Sequence, residues 1–379
     1  MQVSRHILSF GFTLPLQICV SLYAQAAPHP KANPVQTIAL HESSRKTLAS
    51  EMGAFMFPAK CDADGNLYIR KYATDRPLLS PIVKINAEGK RTASFDSVAV
   101  SQLKVTRMDS FSPTADGGID QIAVVGIVKP QIYVLHFSSD GSASSPVQLD
   151  ADFQPYEFAA FADGNLLLSG IQRDVQDHSD SGRPVTAVFS ADGRMLTRIS
   201  FAAALKPAPL TRKTGEVGKA APQNHLVTLD LSGAEPGRDG NIYALRRSAP
   251  ALLYVVSSAG KVLRTLKINS PAPDLMPNAF HVSANRIATS YTTEDFTTII
   301  VVTDLQSGRR IATYSFVEGI PNAPTAVVTD SRTGSVVATE PAPPAMRAAF
   351  VCYSPDEEAF TFLQLGEGGA LEVIRAEPH

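Results

Sequence analysis

Short runs of β-branched and aromatic residues recur along this chain, each about three to seven positions long, with Gly, Asn or Asp at many of the turns between them. No stretch carries the three-to-four-residue apolar period of an amphipathic helix. The runs come in units. In the first, Phe55–Cys61 leads into the turn Asp64-Gly65-Asn66 and Leu67–Tyr72 returns; Pro81–Asn86 then leads into Glu88-Gly89-Lys90 and Arg91–Phe95 returns. Asp-Gly and Asn-Gly turns suit tight hairpins because they accept positive φ.

The same two turns alternate down the chain. The first kind is Asp64-Gly65, Asp116-Gly117, Asp163-Gly164 and Asp239-Gly240, with a degenerate copy at Ala284-Asn285. The second kind follows at a near-constant interval, at Gly89, Gly141, Gly193, Gly260 and Gly308. Later units are predicted as Ile119–Val125, Gln131–Phe137 and Val147–Leu149; then Tyr156–Phe161, Leu166–Gly170, Val185–Ser190 and Met195–Phe201; then Leu226–Leu231, Ile242–Arg246, Leu252–Ser257 and Val262–Ile268; then Phe280–Ser283, Arg286–Tyr291, Thr298–Thr303 and Ile311–Phe316. A hairpin over Thr325–Thr329 and Ser335–Thr339 follows, and Phe350–Tyr353, Phe360–Leu365 and Leu371–Arg375 end the pattern.

A repeat of this period marks a repeat architecture. The reading is an all-β fold, a β-propeller of four-stranded antiparallel blades. Six blades are expected, the last made of three C-terminal strands closed by an N-terminal strand at Val35–Leu40; a seventh arises if the hairpin around Gly334 belongs to a further blade. Closure would remove the exposed edges of an open sheet. Two long polar insertions, Gln172–Pro184 and Ala203–Asn224, break the rhythm.

Pro155-Tyr156-Glu157-Phe158 followed by Asp163-Gly164-Asn165-Leu166-Leu167-Leu168 resembles an NHL-type repeat, and so does Gly237-Arg238-Asp239-Gly240-Asn241-Ile242-Tyr243. The resemblance spans most of the chain after its first residues. It implies a six-bladed propeller and no particular chemistry, because fold does not fix function. A Trp-Asp repeat has nothing to stand on, since the chain holds 0 Trp. One stretch from Thr303 to Tyr314 resembles a quinoprotein blade and is read as an ordinary hairpin.

Arg5 and His6 precede a mostly apolar stretch from Ile7 to Tyr23, and Ala24-Gln25-Ala26 follows. That is the layout of a cleaved secretory signal. The domain reading is therefore a signal peptide over 1–26 and a single propeller over 27–379, in an exported bacterial protein, periplasmic or secreted. Of the 3 Cys, Cys19 falls in the signal, and Cys61 and Cys352 form a candidate disulfide, since an oxidising compartment favours pairing. First and last blades of a propeller are neighbours, and bridging needs Cα atoms within roughly 7 Å.

The formal net charge is −2, which gives no basic footprint for nucleic acid. No segment reads as a membrane span. The expected partner is a protein or small-molecule ligand, and the expected state a monomer. No cofactor is expected. Asp177, His178 and Asp180 crowd one loop as candidate metal ligands, against the plainer reading of a solvated polar loop. Asp62-Ala63-Asp64-Gly65-Asn66 lacks the closing Glu of a calcium loop and reads as a turn. No Gly-x-Ser-x-Gly elbow is present. His136, His225 and His281 lie in or beside predicted strands and are candidates for a central channel.

Two function classes stay open. One is a binding scaffold without catalysis. The alternative is a metal-dependent hydrolase of the lactonase or strictosidine-synthase-like kind, holding a single divalent cation on the axis with three or four acidic or amide side chains.

Overall fold

The computed structural model describes residues 36–48, 55–71, 73, 75–100, 103–126, 130–172, 183–201, 230–248, 250–273, 275–294, 297–316, 325–329, 336–341, 348–366 and 370–378. Among them the fold is all-β apart from a single turn of α-helix at Ser97–Val100 and a 3-10 turn at Pro77–Leu79.

After β1 (Thr37–Thr47), four sheets of four strands follow in chain order. They are β2 (Phe55–Cys61), β3 (Leu67–Lys71), β4 (Ile82–Ile85) and β5 (Arg91–Phe95); β6 (Val105–Pro113), β7 (Ile119–Val125), β8 (Gln131–Phe137) and β9 (Val147–Leu149); β10 (Gln154–Ala160), β11 (Leu166–Gln172), β12 (Arg183–Phe189) and β13 (Met195–Ile199); and β14 (Gly233–Pro236), β15 (Ile242–Arg246), β16 (Ala251–Val256) and β17 (Val262–Ile268). Each is a purely antiparallel meander.

The rest forms one eight-stranded sheet. Its strands are β18 (Ala279–Ser283), β19 (Arg286–Thr292), β20 (Thr298–Asp304), β21 (Arg310–Phe316), β24 (Ala349–Ser354), β25 (Ala359–Leu365) and β26 (Leu371–Pro378), with β1 in the middle in the order β18-β19-β20-β21-β1-β26-β25-β24. β1 runs parallel to β21, Thr37 opposite Thr313, and antiparallel to β26, Leu40 opposite Pro378. A separate hairpin, β22 (Thr325–Thr329) with β23 (Val336–Pro341), forms its own two-stranded sheet.

The arrangement is propeller-like. First strands touch in turn: β2 meets β6, β6 meets β10, β10 meets β14, β14 meets β18, β18 meets β24, and β24 returns to β2. A hydrophobic cluster fills each face between successive sheets. Tyr68, Phe95, Phe111 and Phe137 pack between the first two sheets, and Leu67, Ile69, Val351 and Leu363 between the last strands and the first sheet. Middle strands are therefore buried on both faces, as in Ala251–Val256, where every residue is buried. Their sequences run continuously apolar for that reason.

The turn glycines behave as their sequence demands. Gly65, Gly89, Gly117, Gly141, Gly164, Gly193, Gly240, Gly260 and Gly308 all have positive φ, and Ala284 (φ 51) takes that place in the degenerate copy. Two inner strands differ from expectation. β6 is long, yet its side chains do not alternate in hydropathy, because Ser110 and Ser112 are buried against neighbouring strands. The first strand of the fourth sheet is Gly233–Pro236, not Leu226–Leu231. It must pair across the turn at Asp239-Gly240, Pro236 opposite Ile242, so it starts close to that turn. Leu231 is buried just ahead of it as loop.

Cys61 on β2 and Cys352 on β24 bring their sulfur atoms to 2.10 Å with Cα atoms 6.0 Å apart, across 291 residues of sequence. We propose that this bond staples the seam of the ring in the mature protein. A non-reducing peptide map should yield a cross-linked Cys61–Cys352 peptide; recovery of both as free, alkylated thiols refutes the staple. Loss of such a bond typically costs about 2–5 kcal/mol.

Gly193 and Gly65 give a second test. Both need positive φ, but a Cβ on Gly65 meets nothing within 4 Å, whereas one on Gly193 falls 2.0 Å from the Gln148 carbonyl oxygen of the preceding sheet. Gly65→Ala should cost about 1 kcal/mol, and Gly193→Ala about 3 kcal/mol or more, in urea unfolding. Equal losses would contradict the close sheet approach.

Candidate functional site

The end of the ring that carries the first turns opens into a cavity of about 720 Å³. Its floor is made by first strands, each ending in its turn. Lys60 comes from β2, Glu235 from β14 and His281 from β18, while Pro113 and Ala160 bring in the ends of β6 and β10. The walls are largely apolar, with Val134, Val147, Phe161 and Leu166, and the mouth carries Asp62, Asp64, Asp116 and Lys84.

Lys60 is the central feature. It is buried, 9% exposed, and reaches across the ring from the first sheet. Its ammonium donates to the backbone oxygens of Phe158 (3.5 Å) and Ala234 (3.4 Å), in the first strands of the third and fourth sheets. The Phe111 ring centroid lies 5.8 Å away, within cation–π range. No carboxylate among the described residues forms an ion pair with it at 4.0 Å or less. Burial pushes its ammonium below the usual range, and the charges of Glu157 and Glu235 act against that. An ion removed from water is costly unless it is paired.

Glu157, on β10, is half-buried, and its charge and that of Lys60 act on each other. Desolvation pushes the Glu157 carboxyl up to about 7, with Lys60 pulling the other way. Glu235 is more firmly held. It accepts the Val282 backbone N–H at 2.9 Å and stands 3.3 Å from His281 Nδ1. His281 is in turn 3.5 Å from Cys61 Sγ through Nε2.

Two further pairs frame the site. Asp120 and His136 Nδ1 meet at 2.7 Å, and burial raises the Asp120 carboxyl while the His136 hydrogen bond lowers it. Lys84 stands 3.6 Å from Asp62 and donates to the Gly117 carbonyl oxygen at 3.1 Å. Arg70 also lies over the Phe111 ring, 6.0 Å from its centroid, and burial draws it down to about 10. Its guanidinium donates to the Asp109 backbone oxygen and, with the Gln121 amide turned so that its oxygen faces it, at 3.2 Å to that oxygen. Among the described residues, no group of three His, Cys, Asp or Glu side chains could hold a metal ion.

No protein-family model matches the chain, and no curated relative matches it. Solved structures do align with it. The Pan2 WD40 domain of Neurospora crassa is 11% identical, with 91% of this chain and 97% of that chain covered and a TM-score of 0.45. A luciferin-regenerating enzyme is 11% identical, with 87% and 94% covered and a TM-score of 0.46. A protein of unknown function from Bacteroides caccae is 9% identical, with 68% and 80% covered and a TM-score of 0.41. The propeller-like architecture rests on the strand order and ring contacts above.

Of the candidate residues read from sequence, Cys61 and His281 come together beside the cavity floor, and His136 lines its wall. Cys352 adjoins a second, smaller cavity on the seam. Asp177, His178, Asp180 and His225 lie outside the described residues. Lys60, Glu157 and Glu235 were not singled out by sequence. For Lys60 and Glu157 the signal was a charged residue inside a predicted first strand, as in Tyr156-Glu157-Phe158; Glu235 fell outside the strand predicted at Leu226–Leu231.

Glu157 gives a pH test. Its carboxyl holds a proton to higher pH in the folded chain than in the unfolded one, where 4.5 is usual. The folded state therefore binds more protons between these two values, and stability falls as pH rises through that window. Screening by channel water reduces the effect to about 2 kcal/mol. Urea unfolding at pH 5 and pH 8 should show this loss in the wild type and a smaller one in Glu157→Gln; identical pH slopes would exclude it.

Proposed function

We propose that the protein is an exported, six-bladed propeller of NHL type that binds a small ligand at the mouth of its central channel, without catalysis. The observation that carries the ligand reading is the cavity itself. Its volume of about 720 Å³ falls within the roughly 300–1,000 Å³ range of small-ligand sites, and it joins apolar walls to a few convergent polar groups. The blade count is supported by the closed succession of first strands, β2, β6, β10, β14, β18 and β24. Under that count the eight-stranded sheet is two blades joined through β1. Export is supported by the basic, apolar and Ala-x-Ala order of the first residues.

The binding reading is preferred over a metal-dependent hydrolase on the character of the axis. The first strands bring together a lysine, two glutamates and a histidine, with the histidine already engaged by Glu235. The hydrolase reading calls for several acidic or amide groups converging on one point.

A small-molecule library screened by thermal shift tests the reading. A ligand that binds only the folded state raises Tm by mass action. Ala115 is exposed on the cavity rim, so Ala115→Trp should fill the mouth without disturbing the core. Hits that stabilise the wild type and lose their effect in this variant support the site. A screen whose hits are all indifferent to Ala115→Trp would refute it.

A further inference from the structure

The cavity has a polarity that selects a class of ligand. Its floor holds one buried ammonium, Lys60, with Glu157 and Glu235 as the acids whose charges reach it. Lys60 is nine-tenths buried, its donors meet only backbone oxygens at 3.4 and 3.5 Å, and among the described residues it makes no ion pair. The nearby acid Glu235 already faces His281 and the Val282 N–H. A carboxylate arriving at the floor would give this ammonium the direct ion pair that neither Glu157 nor Glu235 makes at 4.0 Å or less, in a place where water competes poorly for it.

The rim is the opposite. Asp64 and Asp116 are exposed there, and Asp62 is joined to Lys84. These acids favour an ammonium at the entrance. Between floor and rim the walls are apolar, through Val134, Phe161 and Leu166. A ligand that satisfies all three zones carries a carboxylate at one end, an ammonium at the other and an apolar body between them.

Resting on the small-ligand reading above, we propose that the cavity binds a short apolar peptide with free ends, its C-terminal carboxylate seated on Lys60 and its N-terminal ammonium at the Asp64–Asp116 rim. The floor contact is the stronger of the two, because it is desolvated; the rim contact is solvated and screened. Arg238 is also exposed on the rim and donates to the Ala63 carbonyl oxygen at 3.3 Å. That bond sets Arg238 beside Asp64, while Asp116 stands on the first turn of the next sheet.

Calorimetric titration of the full mature chain with three probes tests this: the tripeptide Leu-Leu-Leu, its C-terminal amide and its N-acetyl form. The free peptide should bind best. The amide should bind at least tenfold more weakly, and the N-acetyl form about threefold more weakly. In Lys60→Met the acid and the amide should become equal in affinity. Lys60→Gln serves the same purpose should the methionine variant fail to fold, and the wild-type comparison of acid with amide needs no variant at all.

Equal binding of acid and amide to the wild type overturns the proposal, as does retention of the preference in a folded Lys60 variant. Absence of binding by all three peptides also overturns it. That result leaves the small-ligand reading to stand or fall on the rim-blocking screen with Ala115→Trp, so the two failures are distinguishable.

Discussion

Everything in this architecture depends on a single strand having partners on both edges. β1 is parallel to β21 on one side and antiparallel to β26 on the other. It thereby ties the strands that end the chain to those before them. Just beyond it, the Leu48 N–H donates to the Leu371 carbonyl oxygen at 2.8 Å, extending the antiparallel ladder. On the inside of the ring, Cys61 and Cys352 meet between β2 and β24. The seam is thus held by the backbone ladder outside, with the proposed Cys61–Cys352 staple across it inside. Without it, the first strands would not face one another across a channel, and Lys60 could not reach the backbones of the third and fourth sheets.

The channel is expensive for such a fold to maintain. An unpaired lysine and a carboxyl held near neutrality are each unfavourable when removed from water. The surrounding hydrophobic clusters offset them. Phe111 shows how closely the two are joined: it belongs to the core between the first two sheets, and both Lys60 and Arg70 lie within about 6 Å of its ring centroid. Perturbed ionisable groups beside a cavity are in keeping with the proposed ligand site.

The periodic parts of this molecule were legible in its sequence. Gly-containing turns announce positive φ directly, and the strands that flank them, such as Ile119–Val125 and Gln131–Phe137, coincide with the structure. The first strands were harder. β6 went unread because Ser110 and Ser112 interrupt its apolar residues, and the fourth first strand was placed too early because Gly233–Pro236 has little β-forming character. Both errors have one cause. A first strand faces the channel on one side, so its composition answers to the lumen and not to a hydrophobic core. The candidate site was illegible for the same reason. It takes one residue from each of several strands, and no local spacing connects Lys60 with Glu157, Glu235 or His281.

That division also bears on where specificity resides. The first turns use their acids to hold their own backbones. Asp163 accepts the Asn165 N–H at 3.0 Å, Asp239 accepts the Asn241 N–H at 3.2 Å, and Asp62 accepts the Asn66 N–H at 3.0 Å. This is ordinary turn chemistry, repeated because the hairpin is repeated. It gives the mouth an acidic character regardless of what enters. The floor differs: lysine, proline, alanine, glutamate and histidine line it at Lys60, Pro113, Ala160, Glu235 and His281, one first strand after another. Positions free of the turn's demands are the ones that can vary independently, so under the proposed ligand reading the discriminating contacts belong to the floor and the mouth supplies a general bias of charge.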